Sequence, residues 1–117
     1  MQRRTVGSSG LSVSRAGLGT MTWGRDTPLD EARSLLRSFV DAGGDLIDTA
    51  PAYARGAAEQ ILGRLLRTEV ARDDVVIATK AGFTFRDGVR VVDTSRRALL
   101  DDLHDSLRRL RTDRIDL

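Results

Sequence analysis

The stretch GGDLIDTAPAY, residues 43–53, decides how the rest of the chain is read. Gly43 and Gly44 supply the left-handed backbone that ends a helix. Leu46 and Ile47 are apolar strand formers, and Pro51 breaks whatever follows. A short strand is therefore expected over residues 45–48, with Asp48 where it runs out. Tyr53, the only tyrosine in the chain, comes five residues later on the emerging loop. One carboxylate and one phenol are thus delivered to the same strand end, and the remaining sequence has to supply their partners.

Working outward, Thr27-Pro28-Leu29-Asp30 reads as a helix start, with threonine as N-cap, proline at the first helical position and an acid at the third. Ala32, Leu35, Leu36, Phe39 and Val40 then recur at the spacing of one helical face. Beyond Tyr53, a second helix is expected between Gly56 and about Thr68, with Ala58, Ile61, Leu62, Leu65 and Leu66 in one stripe. Val75-Val76-Ile77-Ala78-Thr79 is a β-branched run of the kind buried on both faces of a parallel sheet, and Lys80 stands at its end. Residues 81–94 form a longer loop with a small hairpin turning at Asp87-Gly88. Ser95 caps a third helix whose seam is Leu99, Leu103, Leu107 and Leu110. The single histidine, His104, lies beside that seam among Asp101, Asp102 and Asp105 and reads as a surface residue. Residues 114–117 begin another strand.

Upstream, residues 2–6 and 11–13 flank the turn formers GSSG, which predicts a small β-hairpin acting as a brace. Residues 16–24, AGLGTMTWG, predict a short buried strand and a loop whose Thr20, Met21, Thr22 and Trp23 face a pocket or pack. Gly17-Leu18-Gly19 is not a dinucleotide fingerprint of the G-x-G-x-x-G type, because Thr22 stands where the third glycine is needed and no helix follows at once. The order is a hairpin followed by βαβαβαβ, with strands near residues 16, 45, 75 and 114. That alternation implies an α/β fold with parallel strands and right-handed crossovers. An open doubly wound sheet and a (β/α)8 barrel both satisfy it, and in both, ligands gather at the C-terminal strand ends. Thr20, Asp48 and Lys80 all lie at such ends.

Composition narrows the function. A chain of 117 residues makes one small domain or part of a larger one. Its 19 Lys and Arg are interspersed with 17 Asp and Glu, without the clustered positive charge of a nucleic-acid footprint. Having no cysteine and one histidine, the chain offers no disulfide, no thiolate and few ligands for a transition metal. No apolar run approaches the roughly 20 residues of a membrane span, and the N-terminus has no signal-peptide core. A cytoplasmic protein without nucleic-acid or membrane partners is expected. Arginine occurs 18 times and lysine once, at position 80. Lysine offers what arginine lacks, a compact ammonium whose proton can be tuned, although chance also accounts for a single lysine.

Tyrosine, lysine and aspartate together suit a phenol that acts as an acid. A nearby ammonium stabilises a phenolate, a carboxylate keeps that ammonium charged, and the phenol then protonates a carbonyl oxygen as hydride reaches the carbon. Side chains cannot supply hydride, so a nicotinamide would have to bind alongside. An ordinary reading stands beside this one, with a turn-capping aspartate, a packed tyrosine and a solvated lysine. Hydrolysis by paired Asp45 and Asp48 is disfavoured because residues three apart on a strand point to opposite faces.

These motifs, AGLGTMTWG, DLIDTAPAY with Glu59-Gln60-Ile61-Leu62-Gly63, VVIATKAG and RTDRIDL, resemble the N-terminal part of the aldo-keto reductases, NADPH-dependent oxidoreductases on a (β/α)8 TIM barrel. The resemblance covers essentially all 117 residues. It implies the hairpin that closes the barrel bottom, the first three βα units and the start of the fourth strand. Residues 1–117 would then be an incomplete barrel, the N-terminal part of a single NADP-dependent oxidoreductase domain. It further implies that Asp48, Tyr53 and Lys80 are three of the four catalytic residues, Tyr53 being the proton donor. Gly19, Thr20, Met21 and Asp48 would line the nicotinamide side of an NADPH/NADP site, with a small carbonyl compound as substrate. Ala54 and Ala58 depart from the family's usual glycine and serine, and Ala54 restricts the loop that carries Tyr53. The fourth catalytic residue, a histidine, falls past Leu117, and His104 does not match it. Residues 1–117 alone are accordingly expected to be inactive and, with an open sheet edge, prone to associate. A non-catalytic NADP-binding regulatory subunit of the same fold and a truncated pseudoenzyme are the alternatives. Trp23 either lines the substrate mouth or packs, and the oligomeric state is left open.

Overall fold

The computed structural model describes the backbone of residues 1–117 and every side chain except those of Thr84 and Arg86. It begins with the expected hairpin, β1 (Arg3–Thr5) antiparallel to β2 (Ser12–Ser14). A sheet of three parallel strands follows, β3 (Gly17–Gly19), β4 (Leu46–Asp48) and β5 (Val76–Ala78), in that spatial order. Helices α1 (Leu29–Asp41) and α2 (Ala57–Thr68) make the crossovers. A second hairpin, β6 (Phe83–Arg86) with β7 (Val89–Val92), turns at Asp87 and Gly88 and precedes α3 (Arg96–Leu110).

The hairpin is tied to the N-terminal end of β4 by Asp45 and Ser14. Asp45 Oδ1 accepts the Ser14 N–H at 2.7 Å, its other oxygen pairs with Arg3 at 2.6 Å, and Ser14 Oγ accepts the Asp45 N–H at 3.1 Å. Burial pushes the Asp45 carboxyl up, but the Ser14 and Arg3 hydrogen bonds outweigh it and hold its pKa below the usual range. The brace is therefore intact above the ordinary carboxylate pKa and weakens as pH falls through the lowered one.

Several expectations are corrected. Helix α1 starts one residue later than predicted: Pro28 is its N-cap, and the Thr27 hydroxyl bonds the Thr22 hydroxyl at 2.8 Å instead of capping. On that helix Ala32 and Leu36 are buried and Phe39 and Val40 half-buried as expected, but Leu35 is exposed, because it lies at the edge of the arc over which α1 meets its neighbours. The run from Val75 to Thr79 is not buried on both faces. Ile47 and Ile77 at the strand centres are fully buried beneath the helices, whereas Leu46, Asp48, Val76 and Ala78 on the opposite face are half-buried. Residues 114–117 lie along β5, and the expected fourth strand starts to pair there at its last residue, Leu117. The Asp116 and Leu117 N–H groups donate to the Ile77 carbonyl, both at 3.1 Å. The Ile77 N–H is taken at 2.8 Å by the Asp116 carboxylate and not by a backbone carbonyl, so the backbone pairing with β5 begins at Leu117, whose carbonyl accepts the Thr79 N–H at 3.0 Å.

The core joins Trp23, Ala32, Leu36, Ile47, Leu62, Leu65, Ile77 and Leu110. Trp23 is 1% exposed, so of its two readings it packs. The seam of α3 is only partly covered: Leu110 is buried, but Leu99 and Leu103 are exposed. Helices α2 and α3 approach closely at Gly63, where an added Cβ would stand 2.5 Å from the Arg109 carbonyl oxygen and 2.7 Å from that of Leu110. Both are backbone atoms and cannot swing aside. Alanine in place of a helical glycine ordinarily gains up to about 1 kcal/mol, while forcing a methyl into a packed contact costs about 1–3 kcal/mol. Because the contact is with backbone, the clash wins. Gly63→Ala is expected to lower the unfolding free energy by about 1–2 kcal/mol, read from the urea midpoint of the single tryptophan's emission. An unchanged or higher midpoint would show that the two helices separate freely.

Candidate active site

The register of the parallel sheet assembles the site. Leu18, Ile47 and Ile77 lie side by side, so Gly19, Asp48 and Ala78 end their strands at one level. Lys80, just past β5, reaches back across β4. Its Nζ donates to Asp48 Oδ1 at 2.8 Å and to the Thr49 carbonyl at 2.9 Å, and lies 4.8 Å from the centre of the Tyr53 ring. The Tyr53 hydroxyl donates to the other carboxylate oxygen, Asp48 Oδ2, at 3.3 Å. One carboxylate thus holds an ammonium with one oxygen and a phenol with the other. The three side chains predicted to act together are brought together.

Electrostatics follow from this arrangement. Burial on its own pushes the Lys80 ammonium down, but the hydrogen bond and charge of Asp48, helped by Tyr53, outweigh it and place Lys80 above the ordinary lysine value. Lys80 is therefore charged throughout the neutral range. The stabilisation it brings is present below the unfolded lysine pKa of about 10.4 and is lost as pH rises through the higher folded value. The side chains of Lys80 and Asp48 are 41% and 47% exposed, so water screens the pair and its contribution to stability is small. What it fixes is position.

Tyr53 sits on a strained turn, Tyr53–Gly56. Ala54 (φ 48°, ψ 40°) and Arg55 (φ 55°, ψ 42°) both take the left-handed conformation, followed by Gly56 at φ 88°. For residues with a Cβ this costs roughly 1–2 kcal/mol each. Ala54 thus adopts the backbone that a glycine would take without penalty. Arg109 seats the turn from α3, since an added Cβ at Gly56 would stand 2.9 Å from its Cδ.

The residues predicted to face a nicotinamide divide. Gly19 is the ladder neighbour of Asp48, and an added Cβ there would meet nothing within 4 Å, so bare backbone with open space above it adjoins the carboxylate. A flat ring fits such a surface. The Met21 side chain is exposed beside it. Thr20 is fully buried, and its N–H and hydroxyl both donate to the Asp48 carbonyl, at 3.0 and 3.1 Å. It anchors the end of β4 and points no hydroxyl outward. His104 is exposed on α3, and Asp45 lies at the opposite end of β4 from Asp48, within the hairpin brace. A cleft of about 630 Å³ opens nearby among Pro51, Arg55, Phe83, Phe85 and Arg109, but Asp48, Tyr53 and Lys80 do not line it.

Sequence reasoning missed three supports. The Thr49 carbonyl is a backbone acceptor that no residue type reveals. Glu59 and Thr79 meet at 2.7 Å, though twenty residues apart, and Glu59 also meets Arg109 at 2.5 Å. The available signal was a carboxylate beside the buried stripe of α2, next to Ala58 and one turn before Leu62.

Comparison with known proteins agrees with this geometry. The family model described as the aldo/keto reductase family matches residues 15–117. The chain is 36% identical over 124 residues to the aldo-keto reductase YhdN of Bacillus subtilis, covering all of this chain and 37% of that protein. It is 38% identical over 119 residues to a protein of Oryza sativa subsp. japonica named as a probable voltage-gated potassium channel subunit beta, again covering all of this chain and 36% of that one. The solved holo form of aldo-keto reductase AKR11C1 from Bacillus halodurans superposes with a TM-score of 0.85 at 37% identity, over 98% of this chain and 38% of that chain. The parallel sheet with its crossover helices is therefore a segment of the TIM barrel found in those structures. The chain spans a little over a third of the length of the curated relatives it matches. No helix among the described residues is long and apolar enough to cross a membrane.

The strain at Ala54 gives a test of the Tyr53 turn. Ala54→Gly removes the left-handed penalty of about 1–2 kcal/mol and adds a glycine entropy penalty of about 0.5–1 kcal/mol. A net gain of about 0.5–1 kcal/mol is expected in urea unfolding. A loss of stability in that variant would show that the turn carries no strain at this residue.

Proposed function

The chain belongs to the aldo/keto reductase family, and from that premise we propose that residues 1–117 hold the proton-transfer part of a carbonyl-reducing site that works with a nicotinamide cofactor. One observation supports this reading above the others: Lys80 Nζ is bonded to Asp48 and to the Thr49 carbonyl while standing over the Tyr53 ring. The 3.3 Å bond from Tyr53 to Asp48 is long, so the phenol can turn its proton toward a carbonyl oxygen placed nearby. As that proton leaves, the fixed ammonium of Lys80 stabilises the oxyanion left on Tyr53. Asp48 keeps Lys80 charged and in place, and in the reverse direction the phenolate takes the proton back from the alcohol.

A reduced nicotinamide, when bound, supplies the hydride that no side chain can. Gly19, Met21 and Asp48 are the residues against which we place its ring, with Thr20 fixing the Asp48 backbone beneath. We read the cofactor as NADPH and the substrate as a small aldehyde or ketone, on the family resemblance. A second reading, a nicotinamide-binding regulatory subunit, is favoured by the 38% identity to the potassium channel subunit beta, against 36% to the reductase YhdN. Turnover separates the two.

In a chain of the family's full length that carries these residues, Tyr53→Phe is expected to lower kcat for carbonyl reduction by about 10²–10⁴-fold, the range for a positioned acid. Nicotinamide binding, followed by quenching of the tryptophan emission, should stay unchanged. Wild-type turnover in that variant would remove Tyr53 from the reaction. A protein that binds the cofactor but reduces no aldehyde would favour the regulatory reading. Residues 1–117 alone are expected to show no aldehyde-dependent oxidation of NADPH, and steady turnover by a monodisperse monomer would overturn that.

A further inference from the structure

Lys80 owes its place to the residue before it. Thr79 Oγ1 donates at 2.7 Å to Glu59 Oε1, and Glu59 is fully buried in the first turn of α2. The other oxygen, Oε2, accepts from Arg109 Nε at 2.5 Å. Arg109 is 24% exposed, donates on to Ser106 Oγ at 3.2 Å, and has its Cδ beneath Gly56, the last residue of the Tyr53 turn. Glu59 therefore has two arms: one reaches the end of β5 immediately before Lys80, and the other reaches the cation that seats the turn after Tyr53.

A fully buried carboxylate carries a large desolvation penalty, and apolar packing of the same volume is often as stable. Stability alone does not call for an ion pair at this point. An apolar side chain at position 59 would fill the space, yet leave the Thr79 hydroxyl and the Arg109 guanidinium unheld. The helix N-terminus helps to accommodate the negative charge of Glu59 where it stands, and neither oxygen is left without a partner.

We propose that Glu59 is a positioning residue for the Tyr53–Lys80 pair, holding the β5 end through Thr79 and the tyrosine turn through Arg109, so that the ammonium stays over the ring and against Asp48. The functional meaning of this inference rests on the proton-transfer reading above, because the pair needs fixed spacing only if Lys80 assists Tyr53. Among the described residues, Asp48 and Tyr53 are the titratable groups that face the ammonium, and both lie on the β4 side of the site. Glu59 acts on Lys80 from the opposite direction, through the backbone.

Because the chain has one lysine, the state of Lys80 is readable without cofactor or substrate. Competitive acylation with trace acetic anhydride across pH 7–11, followed by cleavage at arginine and mass measurement of the Lys80 peptide, gives the free-amine fraction. In Thr79→Val, which keeps the side-chain shape but loses the hydroxyl, Lys80 is expected to loosen from Asp48 and react about 3–10-fold faster near pH 9, up to the tenfold of one pKa unit. Thr79→Ser, which keeps the hydroxyl, is expected to restore wild-type reactivity. Emission of the buried tryptophan checks that each variant folds. Unchanged reactivity in Thr79→Val, or failure of serine to restore it, overturns the proposal, since a purely structural pair would alter stability and leave Lys80 as it was. Should Thr79→Val not fold, Glu59→Gln decides by the same readout: raised reactivity supports the positioning role and wild-type reactivity overturns it. A shifted Lys80 in a protein that binds no nicotinamide leaves the positioning role standing and removes the redox reading. An unshifted Lys80 in a protein that reduces aldehydes does the reverse.

Discussion

The parallel register of β4 and β5 is the constraint on which the candidate site depends. With Ile47 opposite Ile77, the residues leaving the two strands are neighbours, and the Thr49 N–H donates to the Ala78 carbonyl at 2.9 Å. A slip of one residue would turn every side chain of a strand to the other face. Were β4 to slip, Ile47 would leave the core and the Asp48 carboxylate would point into it. Burial of two isoleucines beneath the helices thus determines on which side of the sheet a carboxylate stands. Lys80 and Tyr53 meet Asp48 because of that apolar choice.

Charge is used differently at the two levels of the site. The Lys80–Asp48 pair is open to water and adds little to stability, but it aims an ammonium at a ring. In the Glu59–Arg109 pair beneath, the carboxylate is fully buried, so removing Arg109 would leave that charge stranded, at a penalty of about 3–5 kcal/mol. Strain is placed between them, in the left-handed Ala54 and Arg55 of the tyrosine turn. Such conformations persist only where the surrounding structure over-determines them. Here the packing of α2 against α3 at Gly63 and the seat of Gly56 on Arg109 do so.

Much of the fold was legible in the sequence because it is written in local rules. Ser95 caps α3, its side chain accepting the Ala98 N–H at 3.3 Å. Gly43 ends α1 in the left-handed conformation at φ 81°. The second hairpin turns where Asp87 and Gly88 mark it. The misreadings arose where a local rule met a distant competitor. Thr27 has the chemistry of an N-cap, but Thr22 reaches its hydroxyl first. Leu35 has the spacing of a core residue, but no neighbouring element covers that part of α1. The last residues pair with β5 as a strand should, but only from Leu117, because Asp116 turns its carboxylate onto the Ile77 N–H and Arg72 clamps it there at 2.6 Å.

By itself the sequence determined the alternation of strands and helices, the strand ends at which Asp48 and Lys80 stand, and the turn that presents Tyr53. Hydrophobic period, glycine and proline are properties of a few adjacent residues. Only the tertiary structure decided that Lys80 reaches Asp48 and the Thr49 carbonyl at once, that Thr20 faces inward, and that Glu59 ties Thr79 to Arg109. Those contacts join residues 20 to 50 positions apart. They exist because parallel strands bring distant segments to one level and because a buried carboxylate must find partners for both of its oxygens.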